Sequence, residues 1–308
     1  MKRILCLCLS FILVFGLIGC ESKNTKTDGD KTTSKTSSVD SSSDSTDSTD
    51  SADSSSSETT SSEKVEPVDD WRTHPQDFKL IALTYDDAPV HKEVGENSST
   101  KIIDTISKYD GRATYFVIGR NLAKNGNKIL KYALDKGFEL GNHTYMHYSV
   151  STHNIGKEWT ADDNYDDFKK CQEIVKSETG FVMKYFRPSG GHINQALLEA
   201  NSRLKMPMMQ GNYYRGIRDY SQERTPENIY DDVMYNAFDG AIILLHSSND
   251  RTAEATERFC RSLYNDGYRF CTVDELFKFK GIDPATLPTD KLIYGIDPVT
   301  GKILTKDS

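Results

Sequence analysis

From residue 71 onward, short apolar runs alternate with longer segments in which apolar residues recur every three or four positions. The short runs are typical of buried strands, and the longer spacing is typical of amphipathic helices. Alternating strands and helices predict an α/β domain whose parallel sheet is closed or wound, with helices outside. Strands are predicted at 79–85, 112–118, 138–141, 184–187, 207–212, 241–245 and 268–272, and helices at 98–109, 125–136, 164–178, 225–238 and 252–265.

Residues 1–19 have the pattern of an export signal. Lys2 and Arg3 precede an almost entirely apolar run of about fifteen residues, which is shorter than the roughly twenty that span a membrane. The run ends in small and apolar residues directly before Cys20. This arrangement favours a bacterial lipoprotein signal, with Cys20 lipidated, over an ordinary secretory signal.

Residues 20–70 follow as a segment rich in Ser, Thr and Asp with almost no apolar side chains. Such a segment cannot bury enough apolar surface to offset its ordering entropy, so a disordered linker is expected. A flexible linker of this length has a reach of roughly 35–40 Å and would tether the folded domain to the membrane. The domain itself is predicted at 71–281, and 282–308, with its three prolines and little pattern, as a surface tail.

Charge and cysteine content exclude several classes of function. The formal net charge is −8, and there is neither a basic patch nor a Gly-rich phosphate loop, so nucleic acid and nucleotides are not expected partners.

Cys171, Cys260 and Cys271 fall in the predicted domain. An odd number argues against a disulfide framework, and buried free thiols are favoured over a Cys260–Cys271 bridge.

Candidate metal ligands follow the first and third predicted strands. The first strand ends on Asp86 and Asp87, whose side chains point in different directions where the backbone turns, which suits one metal ligand and one proton carrier. His143 and His147, four residues apart, face the same way on a helical turn and could share a metal ion. Two His and one carboxylate leave positions open for water and substrate, as in catalytic zinc sites.

Three other candidates lie at or after later strand ends. Arg187 could ion-pair with the acid that does not bind the metal, and His246 is well placed to protonate a leaving group. Asp219 could hydrogen-bond His246 and raise its pKa. Each feature taken singly is common in turns and strand caps without any catalytic role. Their joint occurrence at the strand ends of one α/β domain predicts an active site.

These stretches resemble, in order, the five motifs of the polysaccharide deacetylase family, the NodB-homology group or carbohydrate esterase family 4. The matching stretches are 84–89, 143–147, 187–190, 219–220 and 244–246, and 113–119 and 267–273 are also similar. The resemblance covers residues 76–281, nearly the whole predicted domain. It implies a distorted (β/α)7 barrel and a metal-dependent deacetylase.

By motif position, the resemblance also implies residue roles. The metal would be one divalent cation, Zn²⁺ in the first instance, with Co²⁺, Ni²⁺ and Mn²⁺ as alternatives. Asp86 would act as general base and His246 as general acid, with Arg187 orienting the first and Asp219 supporting the second. The backbone N–H of Ser189 would stabilise the oxyanion, and substrate contacts would come from Tyr85 and Tyr220. The implied metal ligands are Asp87, His143 and His147.

Three positions depart from the usual family motifs. Ala88 stands where Gly is usual, so the turn after Asp87 is expected to differ, because Ala does not readily adopt positive φ. Ser189 follows a single proline where Pro-Tyr is common, which would open the groove, and Tyr220 replaces a Trp. The metal ligands and proton carriers are intact, whereas the sugar preference stays open.

The sequence therefore predicts an extracytoplasmic enzyme, lipid-anchored to the bacterial cell membrane, that deacetylates N-acetylated cell-wall or extracellular polysaccharide. Peptidoglycan N-acetylglucosamine is the first candidate substrate. Two alternatives are an O-acetyl esterase acting on xylan-type glycan and a glycan-binding lipoprotein that has lost the chemistry. A non-haem iron oxygenase also uses two His and a carboxylate, but its usual all-β scaffold disagrees with the alternating pattern.

Overall fold

The computed structural model describes residues 70–90, 93–122, 126–150 and 158–306. Three predicted features lie outside the described residues: the signal peptide 1–19, the lipid site Cys20, and all of the linker 20–70 except Asp70. Among the residues that are described, no helix is both long enough and apolar enough to cross a membrane.

The described residues form alternating strands and helices joined by short turns. The strands are β1 (Lys79–Ala88), β2 (Thr114–Val117), β3 (Glu139–Asn142), β4 (Met208–Met209), β5 (Ala241–His246), β6 (Tyr268–Cys271), β7 (Leu292–Ile296) and β8 (Ile303–Lys306). The helices are α1 (Ser98–Ser107), α2 (Gly126–Asp135), α3 (Ala161–Thr179), α4 (Gln195–Leu204), α5 (Pro226–Asn236), α6 (Asp250–Asn265) and α7 (Val273–Phe279). Except for α4, α7, β7 and β8, each corresponds to an element predicted from the sequence.

The strands build one curled sheet with β1 at its centre. Its path is β3-β2-β1-β5-β7-β4, while β6 pairs with the start of β1 and β8 pairs with β7. Strand β1 is parallel to β2, β5 and β6. Phe186 makes single parallel bridges to Asn142 in β3 and Met208 in β4, which link the two ends of the path. The predicted α/β fold with a distorted barrel is confirmed, and the strand predicted at 184–187 is reduced to this bridging residue.

The side chains of β1 are buried on both faces of the sheet. Ile81, Leu83 and Tyr85 belong to the larger core cluster, which also contains residues of α1 and α6. Leu80 and Ala82 belong to a second cluster that includes side chains of β2, β4, β5 and β7 and is covered by α7. A strand that is buried on both faces appears in the sequence as a continuous apolar run, and residues 80–83 have this pattern.

The C-terminal residues differ from the prediction, because 282–308 is not only a surface tail. Strand β7 lies between β5 and β4, and β8 forms an antiparallel hairpin with it. Close approach to β5 depends on glycine: a Cβ at Gly295 would lie 2.7 Å from the carbonyl oxygen of Gly240, and both residues have positive φ, 146° and 100°. The prolines of the segment lie outside the two strands, so they do not break the pairing.

The three cysteines of the folded part, Cys171, Cys260 and Cys271, are free and buried. The expectation of buried thiols is confirmed for these three residues.

Candidate active site

The carboxyl ends of β1 and β5 meet the loops that follow β3 and β4 around a cavity of about 690 Å³. Asp86, Asp87, His147, Arg187 and His246 all line it. Residues that are far apart in the sequence therefore meet at one rim, where parallel α/β folds place their chemistry.

Asp87, His143 and His147 form the one group among the described residues with the composition and spacing of a metal site. Their ligand atoms all lie within 4.8 Å of one another. Oδ1 of Asp87 is 3.3 Å from Nε2 of His147 and 3.7 Å from Nε2 of His143. The same carboxylate oxygen is buried and has no hydrogen-bond partner in the described protein. An orphaned buried acceptor beside two imidazole nitrogens is what a cation would satisfy.

The protonation of the two histidines also suits a cation. Nδ1 of His143 lies 2.8 Å from the carbonyl oxygen of Arg187, which can only accept, so Nδ1 carries the hydrogen and Nε2 keeps its lone pair. Burial lowers the pKa of both His143 and His147, which favours the neutral imidazole. Two neutral imidazoles and one carboxylate are a donor set typical of catalytic zinc and of related divalent transition metals.

The loop that carries the two histidines is not the helical turn expected from the sequence. Thr144 and His147 have left-handed backbone conformations, with φ of 68° and 55°. The Asn142 side chain accepts a hydrogen bond from the Thr144 N–H, and the Thr144 hydroxyl accepts one from the His147 N–H, at 2.8 and 2.9 Å. Backbone strain of this kind persists only where surrounding contacts hold it, and it clusters at functional sites.

Asp167, on α3, holds the same loop and was not identified from the sequence. Its carboxylate accepts hydrogen bonds from the backbone N–H groups of Tyr145, at 2.8 Å, and Met146, at 3.0 Å. The side chain is buried between the helix and the loop. In the sequence Asp167 is one of several acids on an amphipathic helix, so no local signal distinguishes it.

Asp86 and Arg187 form a buried ion pair next to the metal group. Nη1 of Arg187 donates to Oδ1 of Asp86 at 2.7 Å and to the hydroxyl of Thr84 at 2.8 Å. Nη2 donates to the carbonyl oxygen of Gln210 at 2.7 Å, and Nε to that of Met209 at 3.2 Å. All three nitrogens of the guanidinium are therefore hydrogen-bonded although the residue is fully buried.

This pairing determines the charge of Asp86. Burial raises the pKa of Asp86, but the positive charge of Arg187, together with that of protonated His246, outweighs burial and lowers the pKa below its usual value. Asp86 is therefore an ionised carboxylate at neutral pH.

His246 is held by Asp219, as predicted from the sequence. Nδ1 of His246 donates to Oδ1 of Asp219 at 2.7 Å, and the backbone N–H of His246 donates to Oδ2 at 2.8 Å. Thr252 on α6 also donates to Oδ2, at 2.7 Å, and was not identified from the sequence. Burial lowers the pKa of His246, but the hydrogen bond and charge of Asp219 outweigh it and raise the pKa to about 9.

The remaining predicted residues differ in their placement. Tyr220 is 58% exposed, lines the cavity, and its ring lies 5.0 Å from that of His246. Ser189 is buried, with its hydroxyl 3.2 Å from that of Thr144, so its side chain is turned away from the cavity. The role of the Ser189 backbone N–H stays a prediction.

The prediction that Tyr85 contacts substrate is wrong. Tyr85 is fully buried in the core, where its hydroxyl lies 3.0 Å from the hydroxyl of Thr256 on α6. Successive side chains of a strand point to opposite faces, so Tyr85 faces the helices whereas Asp86 faces the cavity. Ala88 remains in β1, and the left-handed turn conformation falls instead on Asp87, with φ of 64°.

Comparison with known proteins identifies the family of this fold and site. The family model described as polysaccharide deacetylase matches residues 73–209. A peptidoglycan-N-acetylglucosamine deacetylase of Bacillus cereus is 32% identical over 209 residues, which cover 67% of this chain and 92% of the relative. The chain belongs to the polysaccharide deacetylase family.

Two other similar proteins have names that refer to xylan. A bifunctional xylanase/deacetylase of Pseudobutyrivibrio xylanivorans is 31% identical over 219 residues, which cover 69% of this chain but only 33% of that longer protein. The solved structure of a family 4 acetyl xylan esterase from Clostridium thermocellum, in complex with a cobalt ion, is 25% identical with a TM-score of 0.60. It covers 71% of this chain and 99% of that one.

Replacing Asp167 should weaken metal binding without touching a ligand. Asp167→Ala removes the acceptor of two loop N–H groups, and losing a group that orients metal ligands typically costs about 10- to 100-fold in metal affinity. Titration of the metal-free protein with Zn²⁺ would measure this. Asp166→Ala, an exposed neighbour on the same helix, is the control and should bind like the unmodified protein. Equal affinities for both variants would contradict the role assigned to Asp167.

Proposed function

We propose that this chain is a metal-dependent hydrolase that removes acetyl groups from an N-acetylated cell-wall polysaccharide, with peptidoglycan N-acetylglucosamine as the first candidate. One observation carries the proposal: a metal-fitting Asp/His/His group lies beside both an ionised Asp86 and a His246 with a raised pKa. Two titratable groups with pKa values pushed apart around one cavity are the arrangement that acid–base catalysis needs. The name of the Bacillus cereus relative supports the substrate.

Asp87, His143 and His147 would hold the cation, which we propose to be Zn²⁺, with Co²⁺, Ni²⁺ and Mn²⁺ also compatible with these ligands. A divalent cation bound there would supply a Lewis acid that lowers the pKa of water and polarises the acetyl carbonyl.

Asp86 is the general base of the proposed reaction. Arg187 occupies Oδ1 of Asp86 and keeps the carboxylate ionised, so Oδ2 is left to accept a proton from the attacking water. The carbonyl carbon then becomes tetrahedral, and we assign the backbone N–H of Ser189 to the negative oxygen that forms.

His246 is the general acid on the leaving-group side. An amide nitrogen is too basic to leave as an anion, so it must be protonated as the carbon–nitrogen bond breaks. Asp219 accepts the hydrogen of Nδ1, which fixes the ring and leaves Nε2 to deliver a proton to the sugar nitrogen.

Acetate release by metal-loaded protein tests the proposal directly. Asp86→Asn should lower turnover of acetylated peptidoglycan by about 10²- to 10⁴-fold, because the amide cannot accept the proton. Zn²⁺ affinity, measured in parallel by titration, should be retained, since Asp86 is not a proposed ligand. If the unmodified protein releases no acetate from peptidoglycan, chitooligosaccharide or acetylxylan, the chain is a glycan-binding protein without this chemistry.

A second candidate function is removal of O-acetyl groups from xylan. The names of the Pseudobutyrivibrio and Clostridium proteins favour it. Mass spectrometry of the products from the same three glycans distinguishes loss of N-acetyl from loss of O-acetyl groups.

The pH dependence of turnover tests the pairing of His246 with Asp219. The acid must be protonated, so turnover should fall as the pH rises through the pKa of His246, about 9. Asp219→Asn removes the charge that raises this pKa, and the fall should move to lower pH by about one to three pH units. A pH–rate profile gives the midpoint. Asp231→Asn, an exposed acid on α5, is the control, and an unchanged midpoint in Asp219→Asn would contradict the pairing.

We further propose that a lipid on Cys20 anchors the protein to the outer face of the bacterial cell membrane, with residues 21–70 as tether. The export pattern of 1–19 and its Cys support this. Cys20→Ser should move the protein from the membrane fraction to the soluble or secreted fraction, measured by fractionation and immunoblotting. Cys8→Ser, within the apolar run, is the control. Retention of Cys20→Ser in the membrane fraction would count against the lipid anchor.

A further inference from the structure

The cavity continues past the metal group between the 212–220 loop and the β7–β8 hairpin. From this part of the lining we define five residues as the cationic arm: Tyr213, Tyr214, Arg218, Tyr294 and Lys306. Two of them, Tyr294 and Lys306, come from the C-terminal hairpin. The hairpin lies beyond the stretch that resembles the family and beyond the family-model match at 73–209.

The rings and the lysine of the cationic arm are in contact. The ring centres of Tyr213 and Tyr294 lie 6.1 Å apart, and those of Tyr213 and Tyr214 lie 5.3 Å apart. Nζ of Lys306 lies 4.4 Å from the Tyr213 ring centre and 4.8 Å from that of Tyr294, and donates to the Tyr213 carbonyl oxygen at 2.5 Å. The ammonium group is therefore held in position over the rings.

The charge of the cationic arm is not neutralised by the protein. Neither Arg218 nor Lys306 forms a salt bridge with any carboxylate of the described residues, and both are exposed to the cavity. A third cation of the same lining, Arg215, is paired with Asp232 at 2.5 Å. The described lining therefore offers two cationic groups to whatever enters.

The acids of the cavity are already engaged. Asp86 is paired with Arg187, and Asp87 lies against the two metal-site histidines. Asp219, behind the cavity, is hydrogen-bonded to His246. A carboxylate on the substrate would thus meet Arg218 and Lys306 without competition from these acids, and could form charge-assisted hydrogen bonds with them.

We propose that the cationic arm binds a carboxylate-bearing sugar unit adjacent to the one that loses its acetyl group, so that the chain prefers acidic glycans. This rests on the proposed function and narrows its substrate class. The tyrosine rings contact the apolar faces of the sugar, while Lys306 and Arg218 bind its carboxylate. The carboxylate has two possible sources: the lactyl group of a peptidoglycan sugar that carries no stem peptide, and the uronic acid of a decorated xylan.

Matched substrates test the inference. Acetylated peptidoglycan tetrasaccharide is compared with the same molecule whose lactyl carboxylates are converted to methylamides, so that only charge changes. Acetylated xylan oligosaccharides with and without a uronic acid form the second pair. We expect acetate release to show a kcat/KM about three- to tenfold higher for the acidic member of one pair, with the difference shrinking at high salt. The pair that shows it identifies the source of the carboxylate.

Three variants locate the preference. Lys306→Gln and Arg218→Gln should each reduce the acidic-to-neutral ratio of kcat/KM, mainly through KM on the acidic substrate, and the double variant should bring it close to one. Lys302→Gln, an exposed lysine in the hairpin turn outside the cavity, should retain the ratio of the unmodified protein. Arg218 directly precedes Asp219. If Arg218→Gln does not fold for this reason, the ratio measured for Lys306→Gln alone tests the inference.

The outcomes separate this inference from the proposed function. A ratio near one in the unmodified protein, or an unchanged ratio in Lys306→Gln, would overturn the cationic arm while the deacetylase proposal stands. If no substrate releases acetate, binding of the same pairs to the Asp86→Asn chain is measured by calorimetry. Tighter binding of the acidic member, weakened by Lys306→Gln, would support the arm, and equal binding would refute it.

Discussion

The buried guanidinium of Arg187 is the contact on which the site depends. A charged group without solvent is costly unless each of its donors is satisfied, and here the donors bind β1, through Thr84 and Asp86, and the backbone at and after β4. The backbone of the same residue completes the junction, since its N–H donates to Asn142 and its carbonyl accepts from His143. One residue therefore orients both the proposed base and a proposed metal ligand.

The two proposed proton carriers show how one cavity can hold opposite charges. Asp86 and His246 occupy directly paired positions of β1 and β5. Arg187 lowers the pKa of the first against burial, and Asp219 raises that of the second against burial. Each effect comes from a partner behind the side chain, so the atoms that we propose to exchange protons remain free. The substitution of either partner would change the charge state without removing the catalytic side chain.

The C-terminal hairpin contributes both to the sheet and to the lining of the cavity. Strand β7 completes the sheet between β5 and β4, and this approach requires glycine at 240 and 295. The same hairpin carries Tyr294 and Lys306 to the rim of the cavity. The proposed proton carriers and metal ligands belong to the family motifs, whereas these two residues belong to a segment outside the family-model match. Under our proposals, substrate recognition could therefore change without changing the reacting groups.

The sequence by itself determined the α/β order, the family and the residues at each strand end, because alternating apolar runs and ordered motifs are local signals. Helices α4 and α7, which were not predicted, also begin at residues with capping side chains, Asn194 and Thr272. Tertiary structure alone decided the rest. Tyr85 faces the core because α6, with Thr256, covers that face of β1. The His143–His147 loop takes strained conformations held from α3, and β7 pairs with β5 only because Gly240 and Gly295 allow the close approach. These outcomes depend on contacts between residues remote in sequence, which no local pattern records.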